Sequence, residues 1–277
     1  MTVVLALFAA AFYGVSDFAG GLASRSSKAF TVLLYNYPAG AVVMAALLPL
    51  FPGHVSMATL LWSAGAGAVG LAGVSLLYSS LGRAPMNVVS PITAVLSAAV
   101  PVLFGVVQGE RPSSLAWIGM LAGMLAVIMI SRTPESHPHG RIGRTALLMS
   151  LGAGVGFGFY FILLARTNHD SGLWPVVIAR ITAAALVVPL ALRSGAAVAL
   201  RGRLLALAVG SGVLDAGANL FFLLATRHGY LSIASVITAL YPAGTVVLAV
   251  GVLKEHTGRL QRVGLALAAG AVVLITR

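Results

Sequence analysis

Three ionisable side chains lie inside long apolar stretches: Asp17, Arg180 and Asp215. A charge at the middle of a bilayer costs about 2.5–3.5 kcal/mol on insertion scales, so such residues mark solute paths, proton relays or tight ion pairs. Asp215 is the deepest, about 17 Å into its stretch at the helical rise of 1.5 Å per residue. Helical spacing gives the acids companions. Asp215, Asn219, Phe222 and Thr226 share one helix face, and Tyr13, Ser16, Asp17, Gly20 and Ser24 share another. Two further stripes match each other: Asn87, Ser90, Thr93 and Ser97, then Ser232, Ser235, Thr238 and Tyr241. Polar stripes turn from lipid toward protein or a water-filled cavity, and four of them can line one cavity. There Arg180 could hold a carboxylate. Asp215 or Asp17 could load and release a proton, because a carboxyl group taken out of water can titrate near neutral pH. Two plainer readings stand beside these. Arg180 can pair with an acid and lock two helices, and the hydroxyl stripes can serve helix–helix hydrogen bonds worth about 0.6 kcal/mol each.

Other chemistry is poorly provided for. The sequence has no cysteine, which removes disulfides, thiolate metal sites and cysteine nucleophiles. His137 and His139 alone make a weak metal site, and the histidines at 54, 169, 228 and 256 also fall in loops or at stretch ends. Residues 65–70 read GAGAVG, a literal match to a dinucleotide fingerprint, but no strand precedes it and no acid follows at the required distance. No phosphate-binding loop, HExxH or GxSxG occurs. No catalytic residue, cofactor or metal is therefore expected; an intramembrane enzyme would have only Asp17 and Asp215 to work with.

The elements that must position these residues follow from composition. The chain is 59% hydrophobic and 8% charged, against about 25% charged in soluble domains. Ten stretches have membrane-spanning length: 2–23, 30–50, 58–80, 86–107, 115–131, 143–165, 173–192, 204–226, 230–252 and 260–276. They are apolar on all sides and rich in Ala and Leu, which favours helices over the alternating strands of a barrel. The first stretch follows Met1 with no basic head, so a retained span is expected rather than a signal peptide.

Residues 80–132 and 225–277 are two versions of one segment at a constant offset without gaps. Ser90-Pro-Ile-Thr-Ala94 returns as Ser235-Val-Ile-Thr-Ala239, Glu110 as Glu255, Gly119 as Gly264 and Arg132 as Arg277. Five crossings per copy force the second copy to run inverted, an arrangement many secondary transporters use around one central site. The expected fold is an all-α membrane protein of ten transmembrane helices in two inverted five-helix repeats, 1–132 and 143–277, joined by a linker at 133–142. Asp215 aligns with Gly70 and so breaks the internal symmetry. Glu110 and Glu255 end the fourth span of each copy near water, and their repetition points to a structural duty such as tying a loop or capping a helix. Prolines 38, 91, 101, 175, 189 and 242 lie in or near spans and could kink them. Gly119/Gly123 and Gly152/Gly156 are spaced for close helix contact.

The net charge of +11 does not indicate nucleic acid, because the basic residues are scattered through loops. Alternate loops divide them. One set holds Arg25, Lys28, Arg83, Arg132, Arg141, Arg144, Arg193, Arg201, Arg203, Lys254, Arg259 and Arg262; the other holds Arg111, Arg166, Arg227 and Arg277. The richer set should face the cytoplasm, which puts both termini outside a plasma or bacterial inner membrane.

With these marks in order, the chain resembles the EamA-type branch of the drug/metabolite transporter superfamily along its whole length. The residues that carry the resemblance are Phe12-Tyr13-Gly14 and Phe157-Gly158 early in each copy, Gln108-Gly109-Glu110 and Lys254-Glu255 closing the fourth spans, and Gly119, Gly123, Gly264 and Gly270 in the fifth. The resemblance implies a carrier of small metabolites, often amino acids or related compounds, commonly an exporter. A channel or membrane scaffold is the other non-enzymatic alternative. The implied partners are a small-molecule substrate and the lipid bilayer, with proton coupling and a homodimer as further options. Two features depart from the family habit. Its members are drawn with both termini in the cytoplasm, and a basic residue is common in the second span of each copy, where Arg180 has only the neighbourhood of Asn36 as its counterpart.

Overall fold

The computed structural model describes residues 1–24, 26–81, 83–84, 86–131, 143–196, 199–254 and 258–277. They form α1 (Thr2–Ser24), α2 (Ala29–Leu47), α3 (Met57–Leu81), α4 (Met86–Val107), α5 (Ser114–Ser131), α6 (Arg144–Ala165), α7 (Trp174–Arg193), α8 (Gly202–Arg227), α9 (Leu231–Thr238), α10 (Tyr241–Leu253) and α11 (Arg259–Thr276). Ten segments are long and apolar enough to cross a membrane, with ends within three residues of those expected. Among the described residues there is no strand. Glu255, His137, His139, His256, Arg25, Arg132, Arg141 and the linker 133–142 lie outside the described residues, as does the side chain of Asn87.

The ninth span, expected as one rod over 230–252, is broken between α9 and α10. Pro242 has no N–H to give the carbonyl one turn earlier. The chain tightens there through Leu240 N–H to Ile237 O (3.1 Å) and Ala243 N–H to Leu240 O (2.9 Å). The aligned position in the first repeat is Ser97, which keeps its N–H, and α4 runs through unbroken.

Loop contacts define two ends of the bundle. At one, Lys28 Nζ donates to Ser194 O (3.0 Å), Ser80 Oγ to Ala146 O (2.9 Å) and Gln261 Nε2 to Ile130 O (3.3 Å). At the other, His54 N–H donates to Asp170 O (2.9 Å), Arg227 Nη2 to Ser171 Oγ (2.9 Å), and Leu231 N–H to Glu110 Oε1 (2.7 Å). The first end carries the arginine-rich loops and the second the arginine-poor ones. So α1 runs from the poor end to the rich end and α6 runs back: the repeats are inverted.

Helix packing obeys the same exchange. The α1–α8 contact is mirrored by α6–α3, α2–α8 by α7–α3, and α1 on α9 and α10 by α6 on α4; α2–α7 and α5–α11 map onto themselves. Nearly every extensive contact therefore joins one half to the other. Glycines mark the crossings in pairs. A Cβ on Gly14 would sit 2.8 Å from Tyr241 O, and one on Gly158 would sit 2.6 Å from Val100 Cβ and 3.3 Å from Leu96 O. Leu96 and Val100 align with Tyr241 and Thr245. Likewise Gly119 meets Ile275 (2.7 Å) and Gly264 meets Ile130 (2.9 Å), an aligned pair. The Gly pairs are thus packing surfaces, as their spacing suggested, whereas Gly270 faces open space.

The main apolar core fills the arginine-poor half of the bundle. It includes Ala6, Leu164, Leu173, Val176, Phe222, Leu223 and Leu231, all fully or almost fully buried.

Candidate functional site

Where α2 and α7 meet on the pseudo-twofold axis, close helix approach comes first. Gly67 lets α3 press on the Ala179 carbonyl of α7, and Gly212 lets α8 press on the Asn36 carbonyl of α2. Gly67 and Gly212 are aligned, so Asn36 corresponds to Ala179 and Tyr37 to Arg180. The structural counterpart of the buried cation is therefore an aromatic ring one residue beyond the position expected. The two touch: the Arg180 guanidinium lies 5.4 Å from the centre of the Tyr37 ring.

Arg180 is 3% exposed and paired at both terminal nitrogens. Its Nη2 forms an ion pair and hydrogen bond with Asp215 Oδ2, and its Nη1 donates to Asn36 Oδ1 (3.2 Å). Asn36 Nδ2 passes the chain on to Ser211 Oγ (3.0 Å), while Ser16 Oγ donates to Ser211 O (2.8 Å). Three helices, α2, α7 and α8, are tied through one cation, and Ser16 adds α1 through a backbone carbonyl. This is the helix-locking pair that stood beside carboxylate binding as a reading of Arg180.

One turn from Asp215, Asn219 organises a second cluster. Its Nδ2 donates to Asp215 O (2.6 Å), which fixes the amide so that Oδ1 faces the other way. That oxygen accepts the hydroxyl protons of Tyr13 (2.6 Å) and Tyr160. Both of its lone pairs are spent, and both tyrosines are left with lone pairs and no proton to give.

These groups border a cavity of about 190 Å³ in the middle of the bundle, lined by residues of α1, α2, α3, α4, α6, α7, α8 and α10. Its lining continues through Gly70, Val74 and Leu77 along α3, the half of that helix nearest the arginine-rich end. The arginine-poor side is stopped by core, where Phe161 stacks on Phe222 at 4.3 Å. Asp17 lines the cavity, is exposed to it, and has no hydrogen bond or ion pair among the described residues. Six aromatic rings surround it: Tyr13, Tyr37, Phe157, Tyr160, Phe161 and Tyr241.

Of the residues expected at the site, Tyr13, Asp17, Arg180, Asp215, Asn219 and Tyr241 come together on this one cavity. Thr93 and Thr238 do not line it. Thr93 Oγ1 donates to its own helix at Val89 O (2.9 Å). Thr238 is fully buried with no partner for its hydroxyl among the described residues, and so are Ser232 and Ser235 on the same face of α9. Glu110 lies away from the cavity. Its Oε1 and Oε2 accept from the N–H groups of Leu231 (2.7 Å) and Ser232 (3.0 Å), capping α9 in the other repeat. Tyr37, Tyr160 and Phe161 were missed. Tyr160 and Phe161 follow directly on the Phe157-Gly158 mark, one helical turn along, which was the available signal.

No curated protein matches the chain. A solved crystal structure superimposes on 99% of this chain and 98% of its own with a TM-score of 0.82, at 17% identity; that likeness speaks to the fold. The sequence model of the EamA-like transporter family matches residues 1–132 and again 144–277. The match spans both five-helix copies, so the chain belongs to the EamA-like transporter family, whose members are multi-pass membrane transporters of small solutes.

Proposed function

We propose that this protein is a secondary active carrier that moves a small metabolite, an amino acid or a related solute, across the cell membrane by alternating access, in the direction of export. The observation that carries the reading is the central cavity. It sits where two inverted repeats meet, holds buried ionisable groups, and has the main apolar core on its arginine-poor side. Exchange of the roles of the two repeats would close the arginine-rich side and open the other. The arginine-rich loops mark the cytoplasmic side on charge grounds, so the cavity would face the cytoplasm and both termini the outside. Asp17 and Asp215 are the carboxyl groups available to carry a proton. One chain supplies a complete cavity, so the reading needs no second copy.

An enzyme built on Asp17 and Asp215 would need the two carboxyl groups to act on one substrate atom. Asp215 is instead committed to Arg180, which favours the carrier. The test is reconstitution in lipid vesicles with a panel of labelled metabolites, with and without a proton gradient. Saturable uptake that follows the gradient, lost in Asp215→Asn, is expected. Flux that does not saturate for any solute would overturn the carrier reading in favour of a channel.

A further inference from the structure

Resting on the carrier reading, and narrowing its solute from amino acids to related amines that lack the carboxylate, we infer that the cavity selects a compact organic cation: a protonated amine on a single flat apolar body. Donors and acceptors at the wall are unequal. Asp17 offers two carboxylate oxygens without a partner among the described residues, and Asp215 offers Oδ1, since Oδ2 is taken by Arg180. Tyr13 and Tyr160 spend their protons on Asn219 and present lone pairs only. Ser97 likewise donates to Ala94 O (2.8 Å), which leaves its hydroxyl as an acceptor.

Charge points the same way. Arg180 and Asp215 cancel as a pair, and the carboxyl group left on the wall is Asp17, whose ionised form a bound cation would favour and a bound anion would oppose. An anion would meet Asp17 uncompensated while its natural partner, Arg180, is held by Asp215, Asn36 and Tyr37. A zwitterion would satisfy Asp17 and leave its own carboxylate in the same position. A cation meets a carboxylate, hydroxyl lone pairs and the faces of several aromatic rings, which attract cations by about 0.5–2 kcal/mol each. Size narrows the class. At about 190 Å³ the space is below the roughly 300–1,000 Å³ of pockets for drug-sized ligands, which suits one ring rather than several.

Binding to the purified full-length protein in detergent tests this with three probes of one shape: 2-phenylethylamine, phenylacetate and 2-phenylethanol. Calorimetric titration should show the amine binding at least tenfold more tightly than either other probe. Asp17→Asn should lose at least tenfold in amine affinity and gain nothing for phenylacetate, whereas Asp17→Glu should retain most of the affinity. Unfolding midpoints without ligand show whether each variant is folded, and Tyr241→Leu, which removes a ring and no charge, should weaken the amine most and the other two probes less. Equal or tighter binding of phenylacetate, amine affinity indifferent to Asp17→Asn, or no binding of any probe would each overturn the amine assignment. The carrier reading falls separately, on the vesicle panel, if no metabolite shows saturable uptake.

Discussion

Tyr37 and Arg180 occupy equivalent positions in the two inverted repeats and meet across the axis, ring against guanidinium at 5.4 Å. A symmetric duplication would place two like groups there. Two arginines would repel, and two tyrosines would leave Asp215 without a partner. Divergence at this pair helps convert a symmetric scaffold into an asymmetric site. The same asymmetry appears one helix away, where Asp215 and Asn219 on α8 align with Gly70 and Val74 on α3. The ion pair and the amide that organise the polar network belong to the second repeat, and the first answers them with Asn36, Ser16 and Tyr13.

Arg180→Met should be among the most damaging substitutions in the chain. Removing one member of a buried ion pair strands the other and typically costs about 3–5 kcal/mol. The low end applies here, because Asp215 is 26% exposed to the cavity. The double variant Arg180→Met/Asp215→Leu should regain most of the lost thermal stability while remaining inactive in vesicles. Arg180→Lys should fold but couple poorly, since an ammonium cannot hold Asp215 and Asn36 in one planar fork. Unfolding midpoints in detergent, read beside vesicle uptake, separate these outcomes. Wild-type stability in the single Met variant would contradict the network.

Tyr13 and Tyr160 should prove energetically coupled through Asn219. Each hydroxyl donates to the same amide oxygen, and a net hydrogen bond contributes about 0.5–1.5 kcal/mol. Losing one tyrosine leaves the oxygen satisfied by the other; losing both strands it. In a double-mutant cycle the Tyr13→Phe/Tyr160→Phe variant should therefore lose more stability than the sum of the single variants. Strict additivity would mean that the two hydroxyls do not share an acceptor.

Much of this was legible in the sequence, and the reasons are particular. Membrane helices announce themselves by length and hydropathy, so the spans came out within three residues. The duplication carried the inversion, because an odd number of crossings per copy leaves no other arrangement. Asp17, Arg180 and Asp215 stood out because charge is rare among apolar residues. The break at Ala239–Leu240 was less legible: six prolines fall in or near the spans, and α4 carries both Pro91 and Pro101 without a break. Tyr37 was invisible, and Tyr160 and Phe161 were marked only by the nearby Phe157-Gly158, for a different cause. Tyrosine and phenylalanine are ordinary in membrane helices, and only the crossing of four helices shows which rings face inward. The partner of Arg180 was likewise a tertiary fact, since helix spacing could not choose between Asp17 and Asp215.

Glycine crossings should tolerate substitution according to what lies opposite. Gly14→Ala puts a methyl group 2.8 Å from the Tyr241 carbonyl and 3.0 Å from Gly244 Cα, both backbone, so α1 and α10 must separate. A loss of about 1–3 kcal/mol, the usual cost of overpacking, is expected. Gly270→Ala and Gly210→Ala, which meet nothing within 4 Å, should be neutral or slightly stabilising, since alanine is the better helix former. Thermal unfolding of the three variants gives the ranking, and an equal loss at Gly270 would refute it.

The Glu110 cap should matter for folding rather than for solute recognition. Glu110→Ala strands the N–H groups of Leu231 and Ser232, at a cost of about 0.5–2 kcal/mol. Glu110→Gln keeps one acceptor and should lie between. Gly105 leaves the space the carboxylate occupies: a methyl group on its Cα would lie 2.6 Å from Glu110 Cδ. Gly105→Ala should therefore mimic Glu110→Ala without touching the acid. A drop in apparent substrate affinity at constant stability would instead place Glu110 on the solute path.

The buried hydroxyls of Ser232, Ser235 and Thr238 offer the sharpest test of alternation. They lie on one face of α9, on the arginine-poor side of the cavity, fully buried and without partners among the described residues. Leaving a buried polar group unsatisfied costs about 1–3 kcal/mol, and three along one face suit a surface that is wet in another state of the cycle. The chain has no native cysteine, so single replacements can be labelled directly. Ser235→Cys should resist a membrane-impermeant maleimide while the cavity faces the arginine-rich end, and should react from the arginine-poor side once an imposed gradient drives the carrier over. Labelling from the arginine-rich side would put the passage on the wrong face of α9. Ala234→Cys, equally buried and apolar, should stay unreactive throughout and separate hydration of the stripe from general loosening of the helix.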